Sequence, residues 1–165
     1  VLYFAYGSNM SSRRLLARTP SATVVSVAKL NDHQLKFHKL SKDGSGKCDI
    51  AETNQMENYV LGIVYKIAVV DKSALDGYEG LGNGYEEKRV QVESLNGEFL
   101  QAFSYYATHI GEGLKPYSWY KEHVLRGAWE HHLPKEYIEN IERIEHMADN
   151  DKTRAEKELA IYKEI

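Results

Sequence analysis

Val1-Leu2-Tyr3-Phe4-Ala5-Tyr6 is apolar or aromatic without a break, and Gly7-Ser8-Asn9 cuts the run off. A short run with no polar alternation reads as a strand buried on both faces. Gly7 ends that strand, and Ser11 to Ala17 then reads as a short helix. A buried strand that ends in Gly-Ser-Asn at a helix start leaves several backbone N–H groups aimed into one small space. Such donors, at the positive end of a helix, favour an anion or a developing oxyanion. Taken alone, the same residues also suit an ordinary turn glycine followed by a helix cap.

The remaining chain has to cover that strand. With 165 residues it is expected to be a single domain over 1–165, with 152–165 a peripheral C-terminal helix. Its hydrophobic content of 42% and charged content of 27% are those of an ordinary soluble globular protein. A net charge of −3 and the lack of a lysine- or arginine-rich run argue against nucleic acid. Arg13 and Arg14 are adjacent and read as the solvated face of the first helix. The single Cys48 excludes an internal disulfide and a cysteine-rich zinc site, and suits a reducing compartment. No signal-peptide pattern is visible, and no apolar run approaches the roughly 20 residues that span a bilayer. A cytoplasmic location is therefore expected. Tyrosine is over-used, with 12 in the chain; buried phenols need polar partners, which hints at a lined cavity.

Taken in order, Ala22–Leu30, Gln34–His38, Cys48–Thr53 and Tyr59–Ile67 read as strands, with a glycine-rich loop over Lys42–Lys47. Gly62 inside the fourth of these suggests a bulge or a close backbone approach. Asp71 is the expected cap of a short helix through Asp76, which runs into Gly77-Tyr78-Glu79-Gly80 and Leu81-Gly82-Asn83-Gly84, a stretch of flexible backbone. Tyr85–Val92 and Phe99–Tyr106 form a predicted hairpin around Ser94-Leu95-Asn96-Gly97. The last third is helical. Tyr120, Val124, Gly127, Ala128 and His131 share one face, and Pro134 opens a helix carrying Tyr137, Ile138, Ile141 and Ile144. Asp149-Asn150-Asp151 then precedes a charged helix over Lys152–Ile165. Strands first and helices last predict an α+β fold, a small mixed barrel or curled sheet flanked by helices.

Among the carboxylates Glu79 stands apart. Glu139, Glu142 and Glu145 lie in solvated stretches, whereas Glu79 sits between Tyr78 and Gly80 at the mouth of the glycine-rich turn. Partial desolvation there would suit it to general acid and base work, although a surface loop position is the plainer alternative.

Phe4-Ala5-Tyr6-Gly7-Ser8-Asn9, followed far down the chain by Leu75-Asp76-Gly77-Tyr78-Glu79-Gly80, resembles the γ-glutamylcyclotransferase family. Tyr85 with Val90 and Val92, and Tyr120 ahead of Gly127-Ala128, extend the similarity over Val1 to Tyr137 and leave the final helix outside it. The resemblance implies a barrel whose cavity is capped by the Tyr-Gly-Ser-Asn loop. It also implies a cofactor-independent enzyme of glutathione metabolism, an acyltransferase or lyase that cyclises γ-glutamyl amides to 5-oxoproline. Carried onto this chain, Glu79 would be the acid–base catalyst. Tyr6, Gly7, Ser8 and Asn9 would hold the glutamyl unit, Tyr120 would contact the substrate, and Tyr85 would wall the cavity. The implied partner is a small γ-glutamyl substrate, with no nucleic acid, membrane or metal, and a homodimer is left open.

The chemistry agrees with those parts. The substrate's own α-amine attacks its γ-carbonyl, so nucleophile and electrophile share one molecule and the protein chiefly folds them together. One carboxylate can take the ammonium proton and return it to the departing nitrogen, while loop N–H groups stabilise the anion. Three other readings fit the residues less well. Ser8 as a nucleophile lacks the second glycine of a nucleophile elbow. The seven histidines show no metal-binding spacing, and the adjacent His131 and His132 diverge on a helix. A non-catalytic binding module needs no Glu79. Within the family, a γ-glutamylamine or γ-glutamyl-metabolite substrate remains the alternative to a γ-glutamyl amino acid.

Overall fold

The computed structural model describes residues 1–163. Its elements are β1 (Leu2–Ala5), a 3-10 turn (Ser8–Met10), α1 (Ser12–Arg18), β2 (Thr23–Asn31), β3 (His33–Leu40), β4 (Gly46–Glu52) and β5 (Tyr59–Lys66). There follow α2 (Val69–Glu79), β6 (Tyr85–Ser94), β7 (Phe99–Ala107), α3 (Ser118–Glu130), α4 (Lys135–Glu142), α5 (Lys152–Leu159) and a last 3-10 turn (Ala160–Tyr162).

Five strands close into a barrel in the order β1-β5-β2-β6-β7. Every pairing is antiparallel except the one that closes it, where Tyr3 of β1 meets Phe103 of β7 in parallel. Ser104 Oγ reinforces that seam by donating to Phe4 O at 2.8 Å. The short β1 therefore has neighbours on both edges, and Tyr3, Phe4 and Ala5 are all buried. Gly62 of β5 makes the approach possible. A Cβ there would lie 2.5 Å from Ala5 O and 2.8 Å from the Phe4 ring.

The hairpin β3–β4 stands outside the barrel as a separate two-stranded sheet. It leans on the end of β7 through Asp49, whose Oδ1 accepts from Ala107 N at 2.7 Å. On the other side α3 packs against the first 3-10 turn, and Gly127 allows it: a Cβ there would fall 2.5 Å from Met10 C. α4 is tied to the barrel where Leu61 N donates to Tyr137 OH at 3.1 Å. No helix of the described residues is long and apolar enough to cross a membrane.

Three sequence expectations are corrected here. Asp71 does not cap α2: the helix starts earlier, with Ala68 at the cap position. The Asp71 carboxylate instead accepts from Ser21 N at 3.0 Å and from Ser21 Oγ. Gly77 and Glu79 do not belong to a flexible turn, because α2 continues through them and stops at Gly80, whose φ of 71° is left-handed. The final helix ends at Leu159 and tightens into the 3-10 turn, and the expected helical residues 164–165 lie outside the described residues.

Candidate active site

β1 leaves the barrel at Ala5 and delivers Tyr6-Gly7-Ser8-Asn9 to a pocket between the barrel mouth and the β3–β4 hairpin. Gly7 passes close to the hairpin: a Cβ on it would sit 3.0 Å from Cys48 Cβ and 3.5 Å from the Tyr120 hydroxyl. The chain then curls into its 3-10 turn, with Met10 N bonded to Gly7 O at 3.0 Å and Ser11 N to Ser8 O at 3.2 Å. Ser11 caps α1 by accepting from Arg14 N. Among the described residues, the N–H groups of Gly7, Ser8 and Asn9 meet no acceptor. Three consecutive free donors on buried residues make a ready cradle for negative charge.

Across from them stands Glu79. As the last residue of α2 it is held by a rigid element and is only partly buried. Asn9 Nδ2 donates to Glu79 Oε1 at 2.6 Å and to Tyr3 OH at 3.1 Å, which fixes the carboxylate against the loop. The Asn9 amide oxygen is buried without a partner, so it is left with acceptor capacity toward a ligand. Asp76, one turn earlier on α2, is already engaged. It accepts from Tyr105 OH and pairs with Lys72 at 3.1 Å.

Tyr3, Tyr6, Gly7, Ser8, Asn9, Cys48, Glu79, Tyr85, Tyr105 and Tyr120 surround a narrow cavity of about 20 Å³ that opens to solvent. All seven residues singled out from sequence thus come together, and among the described residues Glu79 is the one carboxylate in the lining. Three of the tyrosines point their polar ends at backbone. Tyr6 OH donates to Tyr105 O at 2.6 Å and Tyr85 OH to Cys48 O at 2.6 Å. Tyr120 OH accepts from Cys48 N at 3.0 Å and keeps its own proton to offer. Burial pushes the Tyr6, Tyr85 and Tyr120 phenols well above their ordinary range, so they are neutral donors. Burial likewise raises the Cys48 thiol, which leaves it unfit as a nucleophile.

Ser8 is committed elsewhere. Its hydroxyl accepts from Arg14 Nε at 3.2 Å, and among the described residues no histidine bonds to it. That contact corrects the reading of Arg14 as a solvated residue: only Arg13 is exposed, and Arg14 is buried. Arg14 Nη1 pairs with Glu158 of α5 at 2.7 Å and lies 3.1 Å from His123 Nε2 on α3. His123 Nδ1 meets Tyr162 OH at 2.6 Å, and Tyr162 OH donates to Ser11 Oγ at 2.9 Å. Burial opposes ionisation of Glu158, but the His123 hydrogen bond and the Arg14 charge outweigh it and hold the carboxyl down to about 2. Burial lowers His123. This network braces the loop from behind. Sequence reasoning missed it because its members lie on α1, α3 and the chain end, and none carries a local signal.

Comparison with known proteins follows the same outline. The model of the AIG2-like family matches residues 59–141. A γ-glutamylcyclotransferase of Mus musculus is 35% identical over 150 residues, covering 87% of this chain and 78% of that protein. One from Homo sapiens is 36% identical with the same coverage. A solved structure described as a γ-glutamyl cyclotransferase superposes with a TM-score of 0.82 at 31% identity, covering 94% of this chain and 98% of that one.

Proposed function

The chain belongs to the γ-glutamylcyclotransferase family, and we propose that its Tyr6–Asn9 loop and Glu79 together close a γ-glutamyl amide on itself. The observation that carries this reading is the 2.6 Å contact between Asn9 Nδ2 and Glu79 Oε1, which sets one acid opposite three free backbone donors.

The steps use only this chain's groups. The N–H groups of Gly7, Ser8 and Asn9 take the anionic part of the folded glutamyl unit, and the Tyr120 phenol offers a further donor. Glu79 removes a proton from the substrate's α-ammonium, and the freed amine attacks the γ-carbonyl carbon. A new C–N bond closes the five-membered ring as the carbonyl oxygen gains charge that fixed donors stabilise. Glu79 then returns its proton to the amide nitrogen and the old C–N bond breaks. The ring nitrogen gives up its second proton through Glu79 to the departing amine, and 5-oxoproline and an amine or amino acid, now as its ammonium form, leave. Holding both reacting atoms of one molecule in contact supplies much of the rate. No atom of the protein forms a covalent bond to substrate, consistent with a Ser8 hydroxyl engaged by Arg14 and a raised Cys48 thiol.

The partner is accordingly a small γ-glutamyl compound. A buried free thiol suits the reducing cytoplasm as the place of work. Incubating the protein with γ-glutamyl-alanine and following products by mass spectrometry tests the reading. Stoichiometric 5-oxoproline and alanine are expected; bound but unchanged substrate would instead make the chain a binding module.

A further inference from the structure

A second cavity lies behind the substrate loop, between α1 and α5, and the reaction makes no use of it. Its volume is about 620 Å³, and its lining holds four cations, Arg14, Arg18, Arg154 and Lys157, against two carboxylates, Asp151 and Glu158. In a chain of net charge −3 that is a local concentration of positive charge. Both carboxylates are engaged. Glu158 pairs with Arg14 at 2.7 Å and meets His123 at 3.1 Å, and Asp151 caps α5 by accepting from Arg154 N at 3.0 Å. The Arg154 guanidinium is matched too, its Nε and Nη2 both donating to Asp149. Among the described residues, no carboxylate lies within ion-pair distance of Arg18 or Lys157.

We propose that this cavity binds a phosphate group, with the Arg18 guanidinium as its fork and Lys157 as its second charge, and that occupation slows the neighbouring reaction. Arg18 ends α1 partly buried, its Cζ 5.0 Å from the centroid of the Tyr78 ring. Burial opposes its charge, and Arg14, one turn earlier on the same helix, opposes it further. A guanidinium stacked on an aromatic ring keeps its N–H edge free, and that planar edge matches phosphate in two-point contact. Lys157, exposed on α5, adds a point charge on a flexible stem. Two cations without a counter-charge suit a dianion better than a single carboxylate, and the volume leaves room for more than a bare phosphate.

The two cavities share no lining residue, yet one wall serves both. Arg14 donates to Ser8 Oγ at 3.2 Å, and Tyr78 precedes Glu79 in the last turn of α2. The Glu79 charge also favours the Arg18 cation. A phosphate competes with Glu158 for Arg14 and with Tyr78 for Arg18. It therefore loosens the supports of the loop and of the acid together, which gives it different affinities for the braced and the loosened site.

Calorimetric titration of the unaltered protein at low salt, with inorganic phosphate and with phenyl phosphate, tests the site. Saturable binding is expected, weakened about tenfold by Arg18→Met and by Lys157→Glu, the worth of a hydrogen bond to a charged group. Lys157→Glu changes an exposed position and should leave basal turnover as it is. Lys135→Glu, on the exposed side of α4 and outside the cavity, should leave binding unchanged. Tighter binding of phenyl phosphate supports the site and makes a phosphate ester its ligand; equal binding supports it with phosphate itself. No saturable binding, or equal losses in Lys157→Glu and Lys135→Glu, overturns the proposal. With γ-glutamyl-alanine, phosphate should lower kcat about twofold or more without relief by added substrate, and Lys157→Glu should resist it. Purely competitive inhibition would place the anion on the Gly7–Asn9 donors and overturn the proposal, and binding that leaves kcat unchanged would overturn the coupling. The titration needs no turnover, so it decides the site even if the γ-glutamyl reading fails.

Discussion

At the scale of single residues, Asn9 and Gly7 decide whether Glu79 is usable. Asn9 spends its amide N–H groups on Glu79 and Tyr3 and leaves its oxygen unpartnered. Asn9→Ala should therefore lower kcat more than it raises KM, by about tenfold to a hundredfold, the worth of a hydrogen bond to a charged group. Steady-state kinetics with γ-glutamyl-alanine check this, and a pure KM effect would contradict it. Gly7→Val pushes a branched side chain toward Cys48 and Tyr120. It should raise KM by about tenfold through local overpacking, and an unchanged KM would remove the loop from the site. Both residues, like Glu79, were legible in the sequence because their chemistry sits in short contiguous motifs. Asp76 shows the limit. It lies in the same motif as Glu79, yet its engagement with Tyr105 and Lys72 depends on two distant elements.

At the scale of elements, the site is a loop held between helices. Gly127 of α3 meets the backbone of Met10 and Ser11, and the Gly127-Ala128 pair announced such packing in the sequence. The contribution of α5 was not legible, because a charged helix at the chain end reads as peripheral until Glu158 is seen on Arg14. Glu158 is held down to about 2 from an ordinary 4.5. Its contribution to stability is thus complete above about pH 4.5 and is lost as pH falls toward about 2. Glu158→Gln should cost about 2 kcal/mol at pH 7, less than a fully buried pair because the carboxylate is partly exposed. The gap between variant and parent should narrow in urea titrations at pH 3, and a pH-independent gap would contradict the assignment. The expectation that Asp71 caps α2 failed for a similar reason: Ser21, fifty residues earlier, claims that carboxylate.

At the scale of the whole molecule, the alternation of strands and the helical last third made an α+β barrel legible. Local pattern could not show that β3–β4 leaves the barrel, or that β1 closes it against β7, since both depend on partners far apart in the chain. The closure has a functional consequence, because β1 carries the substrate loop at its end. Gly62→Ala forces a Cβ into Ala5 O and the Phe4 ring, and should destabilise the barrel by about 1–3 kcal/mol. Thermal melts and activity should fall together in that variant, and full stability would contradict the close approach.

The account as a whole depends on one acid facing three backbone donors across a small cavity. Glu79→Gln tests it most directly, with 5-oxoproline release and binding of γ-glutamyl-alanine measured on the same preparation. The predicted result is turnover reduced by about a thousandfold or more, in keeping with loss of a sole general acid and base, with substrate binding largely intact. Turnover close to that of the unaltered protein would contradict it.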